Sequence, residues 1–159
     1  MSRTYFNVKR ILLLTGVFML CGMILISADN CKGQQSLADG KEWKLVELRK
    51  GNEVTVIDRE KLESEGFGDI FTISFGEQVT GKAAPNRFTA PYQAGANNAL
   101  TIQPPAATLM ASVYDPERIH EKDYFEYLIN IKSWKLAQDM LELYSSDSDG
   151  KETVLVYGN

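Results

Sequence analysis

His120 is the single histidine of the chain, and it stands a few residues from Ser112 and Asp115. These are, on paper, the hydroxyl, imidazole and carboxylate of a hydrolase, in which histidine takes the proton of a serine nucleophile. Their setting argues against that role. No glycine-flanked strand-to-helix elbow presents Ser112, and Glu117, Arg118, Glu121 and Lys122 around His120 read as a solvated surface. Pairs of carboxylates for acid–base work exist at Glu63 and Glu65 and at Asp147 and Asp149. Neighbouring acids of this kind are usually solvated. The stretch Ser145–Glu152 has a faint likeness to a calcium loop. With Gly150 as its sixth residue the first position is Ser145 and the twelfth Val156, so the leading carboxylate and the bidentate glutamate are both missing. Local turn chemistry of Asp and Gly accounts for the same residues. Both cysteines lie at or before Cys31, which leaves too few ligands for zinc or for cysteine–histidine catalysis. No glycine-rich phosphate loop is present. The expectation is a protein with no catalytic residues, no metal and no cofactor.

A different chemistry is open to the middle of the chain. Gly81–Gly95 (GKAAPNRFTAPYQAG) and Pro104–Ser112 (PPAATLMAS) are rich in small residues and poor in charge. Small side chains let backbone segments approach closely, and the amide of Asn86 can tie backbone groups together. One reading is a tightly packed corner between strands. The other is a pocket or contact surface built from Asn86, Arg87, Phe88 and Tyr92, with Thr108 and Met110 from the second stretch.

Elements that would position these residues follow from periodicity. Glu42–Arg49, Val54–Ile57, Ile70–Phe75 and Leu100–Ile102 have strand composition, and Phe71, Ile73 and Phe75 alternate with Thr72 and Ser74 as in a half-buried strand. Phe88 and Tyr92 frame a further short strand. SWKLA, MLELYS and ETVLVY close the chain, the last two joined through an Asp-Gly turn. One helix is expected, capped by Asp115 and begun by Pro116. Along it Tyr124, Phe125, Tyr127, Leu128 and Ile131 recur at helical spacing, opposite Glu121, Asp123, Glu126 and Asn130. Short strands interrupted by one late helix predict an α+β domain in which the helix covers a curved, mostly antiparallel sheet.

The 159 residues, 44% of them apolar, suit one globular domain, and the net charge of −4 offers no electrostatic footprint for nucleic acid. Arg3, Lys9 and Arg10 precede an uncharged apolar run from Ile11 to Ala28, the pattern of an export signal over residues 1–30. Cleavage after Ala28 would release a soluble protein. Lipidation of Cys31 would instead make a lipoprotein whose residues 31–40 form a polar tether and whose only membrane attachment is that anchor. Residues 41–159 make the domain. Either route places the protein in the periplasm or cell envelope.

Several of these segments resemble the META/HslJ-like domain family. The family opens on a Trp-containing strand, here EWKLVEL, followed by a phenylalanine-rich strand running into a glycine turn, here ISFGEQVTG. Its Gly-x-x-Gly-Cys-Asn-x-Phe-x-Gly-x-Tyr segment is matched at Gly81, Asn86, Phe88 and Tyr92. Its Thr-x-Met-Ala-Cys segment is matched at Thr108, Met110 and Ala111, and the likeness extends from about Lys41 to Tyr157. Pro85 and Ser112 stand where the family has cysteines, and Ala84 and Ala90 where it has glycines. The resemblance implies a barrel-like antiparallel sheet wrapped around one main helix. It implies a small exported or lipid-anchored protein associated with stress tolerance, secretion or virulence, and it supplies no catalytic residue. The function expected is a non-enzymatic contribution to stress tolerance or envelope assembly, through contacts with an envelope protein. The alternative is a carrier holding a lipid or other apolar ligand between sheet and helix, lined by Phe71, Phe75, Phe88, Tyr124 and Leu128.

Overall fold

The structure is a computed structural model, which describes residues 37, 39–111, 116–137 and 139–159. The expected export signal, Cys31, Ser112 and Asp115 lie outside the described residues. Among the described residues eleven strands run in chain order. They are β1 (Glu42–Lys50), β2 (Glu53–Val56), β3 (Thr72–Phe75), β4 (Val79–Lys82), β5 (Arg87–Ala90), β6 (Tyr92–Ala94), β7 (Leu100–Ile102), β8 (Ala106–Ala107), β9 (Ser133–Ala137), β10 (Met140–Ser146) and β11 (Glu152–Gly158). Two short helices of the described residues accompany them, α1 (Arg59–Ser64) and α2 (Glu121–Ile129).

Nine strands form one sheet in the order β8-β5-β4-β3-β1-β11-β10-β9, with β2 lying beside β1, and the pairings are antiparallel. The α+β class and the antiparallel sheet are as expected. The barrel is not: the sheet is neither closed nor strongly curled, and two short helices replace the one encircled helix. Proline placement explains the opening. Pro91 separates β5 from β6, and a residue without an amide proton cannot continue the ladder. Pro104 and Pro105 likewise separate β7 from β8. The β6–β7 hairpin is thereby cut off as a small sheet of its own, joined to the start of β9 by the bridge Ala99–Ser133 and by the Leu100 amide donating to the Lys132 carbonyl at 3.0 Å.

Two other boundaries differ from the sequence expectation. The β3 strand starts at Thr72 instead of Ile70, because Phe71 holds a left-handed backbone with φ of 51°. That kink breaks the alternation, so Phe71 and Thr72 are both buried. The late helix does not start at Pro116. Pro116–Arg118 forms a separate 3-10 turn, Arg118 has φ of 59°, and α2 begins only at Glu121. The charged stretch between β2 and β3 holds α1. In it the Asp58 carboxylate caps α1 by accepting from the Lys61 amide at 2.9 Å.

The core lies between the sheet and α2. Trp43, Leu45, Ile73, Phe75, Leu141, Leu143, Leu155 and Tyr157 meet Tyr124 and Leu128 in one contiguous cluster. Each such side chain contributes about 1.5–3 kcal/mol by leaving water. Leu37, inside the stretch expected to be a tether, is buried in the same cluster. The β11 strand is covered on both faces. Thr153, Leu155 and Tyr157 face the core, while Val154 and Val156 are buried on the opposite face. There their cross-strand neighbours are Arg49 and Tyr144 for Val154 and Glu47 and Glu142 for Val156. These neighbours form a polar cover. Arg49 donates to Glu47 and, at 3.1 Å, to Glu142, and the Tyr144 hydroxyl donates to Glu142 at 2.6 Å.

Candidate functional site

The two small-residue stretches meet, and Asn86 is where they meet. The chain turns sharply after β4, with the Ala83 amide donating to the Asn86 carbonyl at 2.7 Å and a cis peptide at Ala84–Pro85. Ala84 and Ala90 are buried without left-handed backbone, so alanine stands there without the strain that a glycine would relieve. The Asn86 side chain is then directed inward and is 2% exposed. Its amide donates to the Met110 carbonyl at 3.0 Å and to Glu121 Oε2 at 2.8 Å. Its carbonyl accepts from the Thr108 hydroxyl at 2.8 Å and the Met110 amide at 2.7 Å. The Asn86 backbone amide donates to Glu121 Oε1 at 3.0 Å. One side chain thus joins the β4–β5 turn, the Thr108–Met110 segment and the first turn of α2. A buried amide with every donor and acceptor used is a structural tie and has nothing left for a ligand.

The six expected contact residues divide accordingly. Asn86, Thr108 and Met110 come together directly, and Arg87 joins them through its amide, which donates to the Thr108 hydroxyl at 3.2 Å. Phe88 faces the opposite way, buried against Tyr124 and Phe125 with ring centroids 6.3 and 5.5 Å away. Tyr92 is half-buried, its ring edge-on to Phe75 at 5.3 Å and its hydroxyl donating to the Gly76 carbonyl at 3.0 Å. What the knot leaves at the surface is Leu109, 99% exposed, and Met110, 57% exposed. Beside them Arg87 is exposed, and the β5–β8 margin holds an open cleft of about 340 Å³ that includes Arg87, Ala106 and Thr108. A smaller cleft of about 180 Å³ lies across β3 and β4, where Thr72, Ser74 and Thr80 line it with Glu42 and Arg87.

Sequence reasoning missed Glu121 and Leu109. Glu121 carries a signal, an acid in the first turn of a helix, but its partner lies 35 residues away and no local pattern reports that. The other sequence candidates are dispersed. His120 is exposed at the start of α2. Asp147 is a turn acceptor: its carboxylate takes the Asp149 and Lys151 amides at 3.1 and 2.9 Å and faces Lys50 at 3.8 Å. The five apolar side chains proposed to line a carrier are buried, and Phe71 lies against Tyr124 with centroids 5.1 Å apart.

Residues 35–156 match the model of the META domain. The chain belongs to the META domain family. Among curated proteins none matches it. Among solved structures this META domain is similar to a protein from Burkholderia xenovorans determined by NMR, with a TM-score of 0.57 and 16% identity over 85% of this chain and 94% of that one. It is also similar to a DUF4847 family protein from Bacteroides vulgatus, seen in a crystal structure, with a TM-score of 0.52 and 15% identity over 78% of this chain and 95% of that one. At such identity the likeness is one of fold. Among the described residues of the META domain no helix is long and apolar enough to cross a membrane.

Proposed function

We propose that this META domain is an exported cell-envelope protein that contributes to stress tolerance or envelope assembly by protein contact, without turning over a substrate. The observation that carries the reading is the segment held by Asn86. Apolar side chains at a flexible tip would collapse or move, whereas Leu109 and Met110 stand in solvent on a backbone fixed by a buried amide. Exposed apolar groups on a rigid support, next to the exposed Arg87 guanidinium, are what a contact residue set requires. The export part of the reading rests on the basic, apolar and polar succession of the first thirty residues.

The test is complementation. A deletion strain of the producing organism under envelope stress is supplied with the wild type or with Leu109→Asp/Met110→Asp. Loss of protection at unchanged protein level is the expected result. Full protection by the double variant would overturn the reading.

A further inference from the structure

The β2 strand is a sheet edge with the chemistry to pair with itself. Among the described strands it hydrogen-bonds to β1 alone, in the register Lys50–Glu53, Arg49–Val54, Leu48–Thr55 and Glu47–Val56. The tight turn at Gly51-Asn52 makes Lys50–Glu53 a hydrogen-bonded pair, and the Ile57 amide reaches the Val46 carbonyl at 2.9 Å. Alternation along an antiparallel ladder therefore directs the backbone groups of Glu53, Thr55 and Ile57 at β1. Those of Val54 and Val56 point away from it. Their side chains stand on the outer face, 58% and 65% exposed. Within its four residues β2 has no lysine, no proline and no bulge to blunt this edge, and Glu53 is its one charge.

We propose that the β2 edge docks a second copy of this chain, antiparallel and two-fold about Thr55, to make one continuous sheet across the pair. The two-fold axis sets Val54 against Val56 of the other copy and Val56 against its Val54. In that register every outward amide of both valines meets an outward carbonyl, and shifting by one pairing step sets a valine against the turn or the helix start. The four valines form one apolar patch on the outer face, flanked by Arg49 of one copy in line with Glu47 of the other. Continuing the same count sets the hairpin end bearing Lys50 and Lys151 against the start of α1 with Asp58 and Glu60. Hydrogen bonding and apolar contact close in the same arrangement. It is a different surface from the Leu109–Met110 segment, and it stands or falls independently of that reading.

The arrangement makes Thr55 face its own copy as a non-hydrogen-bonded antiparallel pair, the spacing that suits a disulfide. The experiment uses the full-length chain in detergent with Cys21→Ser and Cys31→Ser, carrying either Thr55→Cys or Glu53→Cys, under mild oxidation. Thr55→Cys is expected to crosslink at least about tenfold faster than Glu53→Cys, whose partner position is Ile57. Adding Val54→Lys and Val56→Lys to Thr55→Cys is expected to remove that advantage, with circular dichroism showing the fold retained. Equal rates, a faster Glu53→Cys, or an advantage that survives the lysines would overturn the proposal. So would a chain that stays monomeric in sedimentation at every concentration, which would leave the edge to an extended segment of another protein.

Discussion

Asn86 shows how much of the molecule hangs on one amide. Its removal strands a Met110 carbonyl and amide, the Thr108 hydroxyl and half of the Glu121 carboxylate around a position that is itself buried. Asn86→Ala is therefore expected to cost roughly 2–4 kcal/mol, measured by urea unfolding. The Tyr124 and Tyr157 hydroxyls make a second such pair, 2.9 Å apart and fully buried. Burial pushes both phenols above their ordinary range, so they remain neutral partners. Tyr124→Phe is expected to cost about 1–2 kcal/mol by leaving the Tyr157 hydroxyl alone, while the double variant with Tyr157→Phe costs less than the sum. Unfolding curves for the four proteins of that cycle decide it. The importance of Asn86 was visible in the sequence as an amide among small residues, but its inward direction was not. Whether such an amide serves a ligand or the fold depends on Glu121 and Met110, and both are remote in sequence.

Strands were the most legible elements, because alternation of large apolar residues survives wherever one face is buried. What escaped were the interruptions. The left-handed backbone at Phe71 and at Arg118 has no signature in residues of those types, and each displaced an element boundary. The opening of the sheet was written in Pro91, Pro104 and Pro105, which were read as marks of a packed corner instead of breaks in a ladder. At Gly81 the sequence is more informative than the alternation around it. A β-carbon there would lie 2.1 Å from the Thr72 carbonyl oxygen and 2.7 Å from the Phe88 ring, so Gly81 is the bare place on β4 that lets Phe88 of β5 lie across it. Gly81→Ala is expected to lower stability by about 2 kcal/mol or more, seen as a fall in melting temperature. The Asp58 cap is a milder case: Asp58→Ala should cost about 1 kcal/mol and loosen α1 first, detectable as faster amide exchange in Arg59–Ser64.

At the scale of the whole molecule the sheet has two buried faces at its centre, one sealed by hydrocarbon and one by charge. The polar cover makes stability depend on acid. The hydrogen bond from Tyr144, and then Arg49, holds Glu142 below its ordinary value of 4.5, and Lys82 holds Asp69 below 3.8. A carboxylate whose folded value is depressed stabilises the fold fully above its unfolded value, and that contribution is lost as pH falls through the folded one. Melting temperature is therefore expected to drop from neutral to strongly acid solution, and Glu142→Gln should flatten part of the drop. A further consequence lies in the order in which the strands are made. Among the described strands the central β11 is synthesised after the others, and β1, one of its two partners, before them. Leu48 must find Leu155 across nearly the whole domain, a contact of long sequence separation that slows folding. A nascent chain that has not reached Glu152 has edges on both sides of a missing middle, so it remains open and protease-sensitive until β11 emerges, and only then closes as a unit.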